Sequence, residues 1–351
     1  MEIWFIPHKG FSGDNIKAIG DYYMEIKTPY LLFFGDSERA KTATGVYYWR
    51  PEFCKAQYKY EGCPVDLGIP IMTPSEAAEA GIKTLVIGVA PPGGQLPDHW
   101  VGTLLEALDA GLDIASGLHS RIADIPKVVE RANKLGRQIF DIRHPVESFD
   151  VGKGIKKTGK RLLAVGTDCA SGKMFATLAI EKEMKDRGMK VDFRATGQTG
   201  IFIAGSGVSV DAVVADFISG ATETLCPDND DDHWDIIEGQ GSLFHPSYAG
   251  VTLGLIHGSQ PDAMVLCHEA GRNNIKGVVG FPLPDIETAI FAYEYHARLT
   301  NKTAKVIGIC INTNSLGDAE YQAYLKAVED KSGLPTVDPV RTGVGKIVDV
   351  M

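Results

Sequence analysis

The run Arg161-Leu-Leu-Ala-Val-Gly-Thr-Asp-Cys-Ala-Ser-Gly-Lys-Met174 restricts this chain more than any other. Arg161 to Val165 is apolar beyond its first residue and predicts a buried strand. Gly166 and Gly172 bracket a loop. Lys173 then opens a helical pattern lasting to about Arg187, where Gly188 stops it. Phe175, Leu178, Ala179 and Met184 are expected on the buried side of that helix. A strand, a glycine-bracketed loop and a helix, in that order, make a cradle for an anion. Glycines let the backbone curl until successive N–H groups point inward. The helix start adds partial positive charge at the same place, and Lys173 adds a full one.

This is the context of a phosphate-binding P-loop, with Gly166, Thr167, Asp168, Cys169, Ala170, Ser171, Gly172, Lys173 and Met174 as the residues expected to hold the cofactor. It carries one departure. Where nucleotide-hydrolysing loops place a Ser or Thr hydroxyl on Mg²⁺, this chain has Met174, and a thioether is a poor ligand for a hard cation. Either Mg²⁺ is held another way, or the loop binds a phosphate group without cleaving it. Coenzyme A, with its pyrophosphate and 3′-phosphate, fits the second case. Cys169, inside the loop, is expected to have a lowered thiol pKa in that positive field.

The rest of the chain alternates strands and helices. Tyr30 to Phe34, Thr84 to Ala90, Leu112 to Ser116 and Gln138 to Ile142 read as strands in the first half. Pro74 to Ala80, Trp100 to Leu108 and Ile125 to Leu135 read as helices, the last capped by Gly136. Phe149 to Lys160 is Gly- and Lys-rich without apolar periodicity, and the domain boundary is placed there. Beyond the P-loop, Lys190 to Arg194, Asp235 to Glu238, Ala263 to Cys267 and Lys305 to Asn312 read as strands. Asp211 to Ile218, Ile286 to Leu299 and Ala319 to Val328 read as helices. The expected class is therefore α/β: a Rossmann-like domain over 1–152 and a P-loop NTPase-like domain over 153–351, both with mainly parallel sheets.

Composition bounds the partners. With 351 residues, two domains are the natural division. A formal net charge of −10 argues against a nucleic-acid or anionic-membrane partner and leaves a small-molecule substrate. The six cysteines are scattered, without a C-x-x-C pair, and read as free thiols in a reducing compartment. With no secretory leader at the N-terminus and no apolar run of membrane-spanning length, the expected location is the cytoplasm. No metal site is expected, since Asp228-Asn-Asp-Asp-Asp-His233 lacks EF-hand spacing. A homo-oligomer is the expected assembly.

Further candidates cluster at strand ends, where ligands of α/β folds bind. Asp235-Ile-Ile-Glu-Gly-Gln-Gly-Ser242 puts Glu238 beside the loop as an acid or base, with Gln240, Gly241 and Ser242 offering donors to an anion or oxyanion. Arg194, Thr196, Gln198 and Thr199 follow the Lys190 to Arg194 strand, and Arg194 is suited to grip a carboxylate. His245 and His268 are further acid–base candidates, and His268-Glu-Ala-Gly-Arg272 adds a cation. Gly93-Gly94 is a weaker nucleotide-site hint.

Two resemblances sharpen these readings. Val165-Gly-Thr-Asp-Cys-Ala-Ser-Gly-Lys173 resembles the loop of dethiobiotin synthetase, and Glu238-Gly-Gln-Gly241 resembles that enzyme's Glu-Gly-Ala-Gly turn. Over nearly the whole chain, the order of a Rossmann-like domain, GTDCASGKM, RATGQTG, the Asp211 to Glu223 segment and IIEGQGSLFHP is similar to a family long described as of unknown function. Its characterised members are D-glutamate N-acetyltransferases that use acetyl-CoA, paired with an epimerase acting on the N-acetyl amino acid. The resemblance implies acetyl transfer from acetyl-CoA to an acidic amino acid. Lys173 and the loop amides would bind the phosphates, and Glu238 or a nearby His would act as base. The alternatives are an ATP- and Mg²⁺-dependent ligase or kinase of the dethiobiotin synthetase kind and a non-catalytic nucleotide or CoA sensor.

Overall fold

The computed structural model describes residues 25–38, 40–89, 94–144 and 148–351. The N-terminal segment to residue 24 and the Pro91 to Gly93 part of the glycine hint lie outside them.

The first domain is a five-stranded parallel sheet in the order β2-β1-β3-β4-β5. Its strands are β1 (Tyr30–Gly35), β2 (Cys54–Lys59), β3 (Thr84–Ile87), β4 (Asp113–Ser116) and β5 (Ile139–Asp141). They alternate with α1 (Lys41–Trp49), α2 (Pro74–Glu79), α3 (Val101–Asp109) and α4 (Pro126–Leu135). Helices on both faces explain why β1 is apolar and buried along its whole length. Local signals behave as expected. Thr73 and Glu76 form a capping box at α2, and Gly136 closes α4 in the left-handed region at φ 63°. The strands stay parallel, but the order in which they are added reverses between β1 and β3, which opens a crevice at their C-terminal ends where α/β folds bind ligands.

The second domain is a six-stranded parallel sheet in the order β11-β10-β9-β6-β8-β7. Its strands are β6 (Lys160–Gly166), β7 (Val191–Arg194), β8 (Trp234–Ile237), β9 (Ala263–Glu269), β10 (Lys305–Asn312) and β11 (Thr336–Val337). The helices are α5 (Lys173–Asp186), α6 (Gln198–Ala204), α7 (Ile218–Leu225), α8 (Ala249–Ser259), α9 (Ile286–Ala297), α10 (Asp318–Ser332) and α11 (Gly345–Val348). Because side chains alternate along a strand, Leu163, Val165, Met264 and Leu266 pack toward α7, α8 and α9. Leu162, Ala164, Val265 and Cys267 pack toward α5 on the other face. The phosphate loop leaves β6, which lies between β9 and β8 near the middle of the sheet.

Three expectations are corrected. Phe175 and Ala179 are only half-buried, and α5 is buried on two sides rather than one. Ala176, Ile180 and Met184 join the core of its own sheet, whereas Leu178 joins the core of the first domain. Asp211 to Ile218 is not one helix. Val213 and Val214 are extended, with ψ near 136°, so two short 3-10 turns precede α7. The sequence reading also passed over α1, β2, α8, β11 and α11, and over α6, which Gly197 and Gly200 disguised as a turn.

The domains share one apolar cluster. Leu178, Phe193, Ala195, Ile201, Phe202 and Ile203 pack with β1 and its neighbours, and α1 packs on α6. Burial of each large side chain stabilises by about 1.5–3 kcal/mol. Trp49 and Phe175 meet across the same junction, with ring centroids 5.4 Å apart. Beside them Arg50 pairs with Glu181 at 3.1 Å, and the Glu181 side chain is only 3% exposed. Lys185 is a second partner for that carboxylate. Arg50→Ala is therefore expected to cost roughly 1–3 kcal/mol, less than emptying a buried pair completely, because Lys185 remains. Urea unfolding checks the value, and Glu181→Ala alone and combined with Arg50→Ala gives the coupling.

Candidate functional site

Between the domains lies a cleft of about 610 Å³. Cys169, Ala170, Gly172, Lys173 and Met174 of the loop line it, together with Gln198 and Thr199 of α6 and the Glu238–Gly241 turn after β8. The other wall belongs to the first domain, through Lys41 at the start of α1 and Arg143 just after β5.

The loop is curled as its glycines suggested, with Gly172 at φ 98° and Ala170 also left-handed at φ 53°. It is held from outside. Arg272 donates to the Asp168 carboxylate at 3.0 Å and to the Cys169 carbonyl at 2.7 Å, and it also pairs with Glu269. The Lys276 N–H donates to the same Asp168 oxygen at 2.8 Å. Tyr293 and Ser242 hydroxyls donate to the Gly166 carbonyl at 2.6 and 2.8 Å. Inside the loop, Lys173 donates to the Asp168 carbonyl at 2.9 Å. Burial lowers the Lys173 pKa, with Cys267, Cys169 and Asp168 working against that shift. A bound phosphate would supply the counter-charge that this buried ammonium lacks.

Glu238 is the other pole. It is 4% exposed and accepts N–H bonds from Thr196 at 2.9 Å and Gly197 at 3.0 Å. Burial pushes its pKa up to about 7, against the two backbone donors and Lys173, while Asp211 pushes it further up. A carboxyl poised near neutrality can take a proton at physiological pH. Behind it, Thr196 donates to the Glu238 carbonyl at 2.7 Å, and Gln240 donates to Thr196 at 3.2 Å.

Other expected site residues serve different ends. Arg194 lies outside the cleft, paired with Asp235 at 2.7 Å and Asp192 at 3.2 Å, so its guanidinium is not presented to a substrate carboxylate there. Arg272 is occupied by Asp168 and Glu269, as a clamp on the loop. Ser242 is fully buried and fastens the loop at Gly166. Thr196 is likewise buried, behind Glu238. His245 sits beneath the loop, its Nδ1 accepting from the Ser247 N–H at 3.1 Å and its Nε2 facing the Lys276 carbonyl at 3.3 Å. His268 lies between the Thr167 and Tyr324 hydroxyls, and burial and Arg272 lower its pKa. Neither histidine lines the cleft. The Cys169 thiol pKa is raised, not lowered, because burial outweighs Lys173 and Arg272.

Residues 150–348 match the family model described as a domain of unknown function (DUF1611_C) P-loop domain. Residues 59–145 match its partner, described as a domain of unknown function (DUF1611_N) Rossmann-like domain. The chain belongs to the DUF1611 family. The crystal structure of a DUF1611 family protein from Anabaena variabilis is similar over 92% of this chain and 98% of that one, at 33% identity and a TM-score of 0.77. A D-glutamate N-acetyltransferase from Tritonibacter scottomollicae is 50% identical over 93% of this chain and 99% of its own. A protein of the same name from a Pseudoalteromonas species is 47% identical over 93% and 99%.

In this DUF1611 chain, sequence reading missed Lys41, Arg143, Asp211, Tyr248 and Asn312, all of which line the cleft. Lys41 and Arg143 each follow a strand of the first sheet, and that position was the available signal. Gly200 shows how tightly the site is built. A Cβ there would stand 2.3 Å from Glu238 Oε2. In an open helix Gly→Ala gains about 1 kcal/mol. Here Gly200→Ala is expected to lose roughly 1–3 kcal/mol by overpacking, and a urea melt will show which sign wins.

Proposed function

We propose that the protein transfers the acetyl group of acetyl-CoA to the amino group of an acidic amino acid, D-glutamate foremost. The carrying observation is one cleft with two poles. At one is a phosphate loop with Met174 in the Mg²⁺-ligand position; at the other is Glu238 with a pKa near 7. The names of relatives about half identical over nearly the full chain support the same reading.

Lys173 and the loop amides would hold the diphosphate of acetyl-CoA. A smaller pocket of about 160 Å³ adjoins the loop, lined by Phe175, Asn312, Asn314 and Val340. Its apolar walls and side-chain amides suit the adenine ring. The thioester would then reach toward Glu238. An amino acid arrives as an ammonium ion and is not nucleophilic until it loses a proton. Glu238 takes that proton, and the amine attacks the thioester carbon. The tetrahedral intermediate collapses with cleavage of the C–S bond, the departing CoA thiolate taking up the second amine proton. Backbone N–H groups of the Gly239–Gly241 turn would meet the developing oxyanion.

Mg²⁺-ATP ligase chemistry fits less well. The Asp168 carboxylate is already bonded by Arg272 and the Lys276 N–H, and Met174 supplies no hydroxyl. Thiol release from acetyl-CoA with D-glutamate tests the proposal directly. No release above background across D- and L-acidic amino acids would sink it, and ADP formation would favour the ligase.

The base must be ionised, so kcat/KM should rise with pH through about 7. Glu238→Gln should lose activity by about 10²–10⁴-fold while still binding acetyl-CoA. Binding unchanged together with unchanged turnover would remove Glu238 as the base. Stability carries the opposite sign. The folded pKa is raised, so protonated Glu238 favours the fold below about 4.5, and that contribution is lost as pH climbs to about 7. Glu238→Gln should therefore melt higher relative to wild type at pH 8 than at pH 4.5, by calorimetry.

A further inference from the structure

Three cations line the cleft among the described residues: Lys173, Lys41 and Arg143. Lys173 is folded into its own loop. The other two come from the first domain, across the cleft from the loop. Lys41 stands at the first turn of α1, directly behind β1, at the edge where the strand order reverses. It is exposed and makes no ion pair with a described residue. Arg143 is mostly buried, with its side chain 18% exposed. Its Nη2 donates to Asp211 at 2.7 Å, and its Nη1 and Nε meet no acceptor among the described residues. Asp211 is itself held by the Ser209 hydroxyl at 3.0 Å, so Arg143 is aimed by a fixed carboxylate and keeps donors in reserve.

Two such cations are surplus to an acetyl donor whose phosphates sit on the loop opposite. They match an acceptor with two carboxylates and an amine directed at Glu238. The cations that looked suited to this task from sequence, Arg194 and Arg272, are bound to Asp235, Asp192, Asp168 and Glu269. We propose that Arg143 and Lys41 between them hold the two carboxylates of the amino-acid acceptor, making the first domain the specificity module of the enzyme. This rests on the acetyltransferase reading above.

Arg143→Gln and Lys41→Gln test it in the full-length protein. For each, the KM for D-glutamate is compared with the dissociation constant for acetyl-CoA, taken by calorimetry. Loss of one charged hydrogen-bonding partner should raise the KM for D-glutamate about 10- to 100-fold and leave acetyl-CoA binding within about twofold. Glutarate, a dicarboxylate without the amine, should weaken as a competitive inhibitor by a similar factor. Arg143→Lys should recover part of the loss. Should Arg143→Gln fail to fold, Lys41→Gln at its exposed position carries the test alone. An unchanged KM for D-glutamate, or an acetyl-CoA affinity that falls by the same factor, would overturn the assignment while leaving the activity standing. A wild-type protein that releases no CoA with any acidic amino acid would overturn both.

Discussion

The cleft exists because two sheets share one apolar junction. Each domain carries one wall, so the distance from Arg143 and Lys41 to the phosphate loop is only as fixed as the packing between the domains. That packing is continuous. Leu178 from α5 and Ile201 to Ile203 from α6 are buried in the core that surrounds β1. The α6 helix is central to both tasks. Its apolar side enters the first domain, while Gln198 and Thr199 line the cleft and the N–H groups of Thr196 and Gly197 just before it hold Glu238. Protein interiors resist deformation, so Glu238 and the first domain are positioned by the same helix.

Within this frame the electrostatics run in opposite directions at the two poles. Burial lowers the Lys173 pKa and raises that of Glu238. Both shifts are costs of desolvation, and a bound anion beside Lys173 would offset the first. The nearby carboxylate Asp168 is kept out of this chemistry by Arg272 and a backbone N–H. The loop is thus braced by charges that face away from the cleft.

Much of the α/β pattern was legible because local rules were obeyed. The strand–loop–helix at residue 166, the helix opening at Pro74 and the glycine stop at Gly136 all rest on contacts within a few residues. Among the elements that escaped were α1, β2, α6 and α8. Lys41-Thr-Ala-Thr-Gly-Val-Tyr-Tyr-Trp49 is rich in β-branched and aromatic residues with modest helix propensity, and packing on α6 makes it a helix. Glu238 could be found because it ends a strand beside the loop. Arg194 and Arg272 misled because sequence shows a cation but not whether a carboxylate already stands next to it.

The sequence by itself determined the alternating α/β plan, the anion cradle and the absence of a hydroxyl at residue 174, since each depends on residues adjacent along the chain. Tertiary structure decided which charges line the cleft. Asp235, Asp168 and Glu269 neutralise the obvious arginines, while Lys41 and Arg143, more than twenty residues upstream of the loop, are brought to face it. Pairing of charges depends on distance in space, and two sheets joined through a shared core set those distances in a way that spacing along the chain does not.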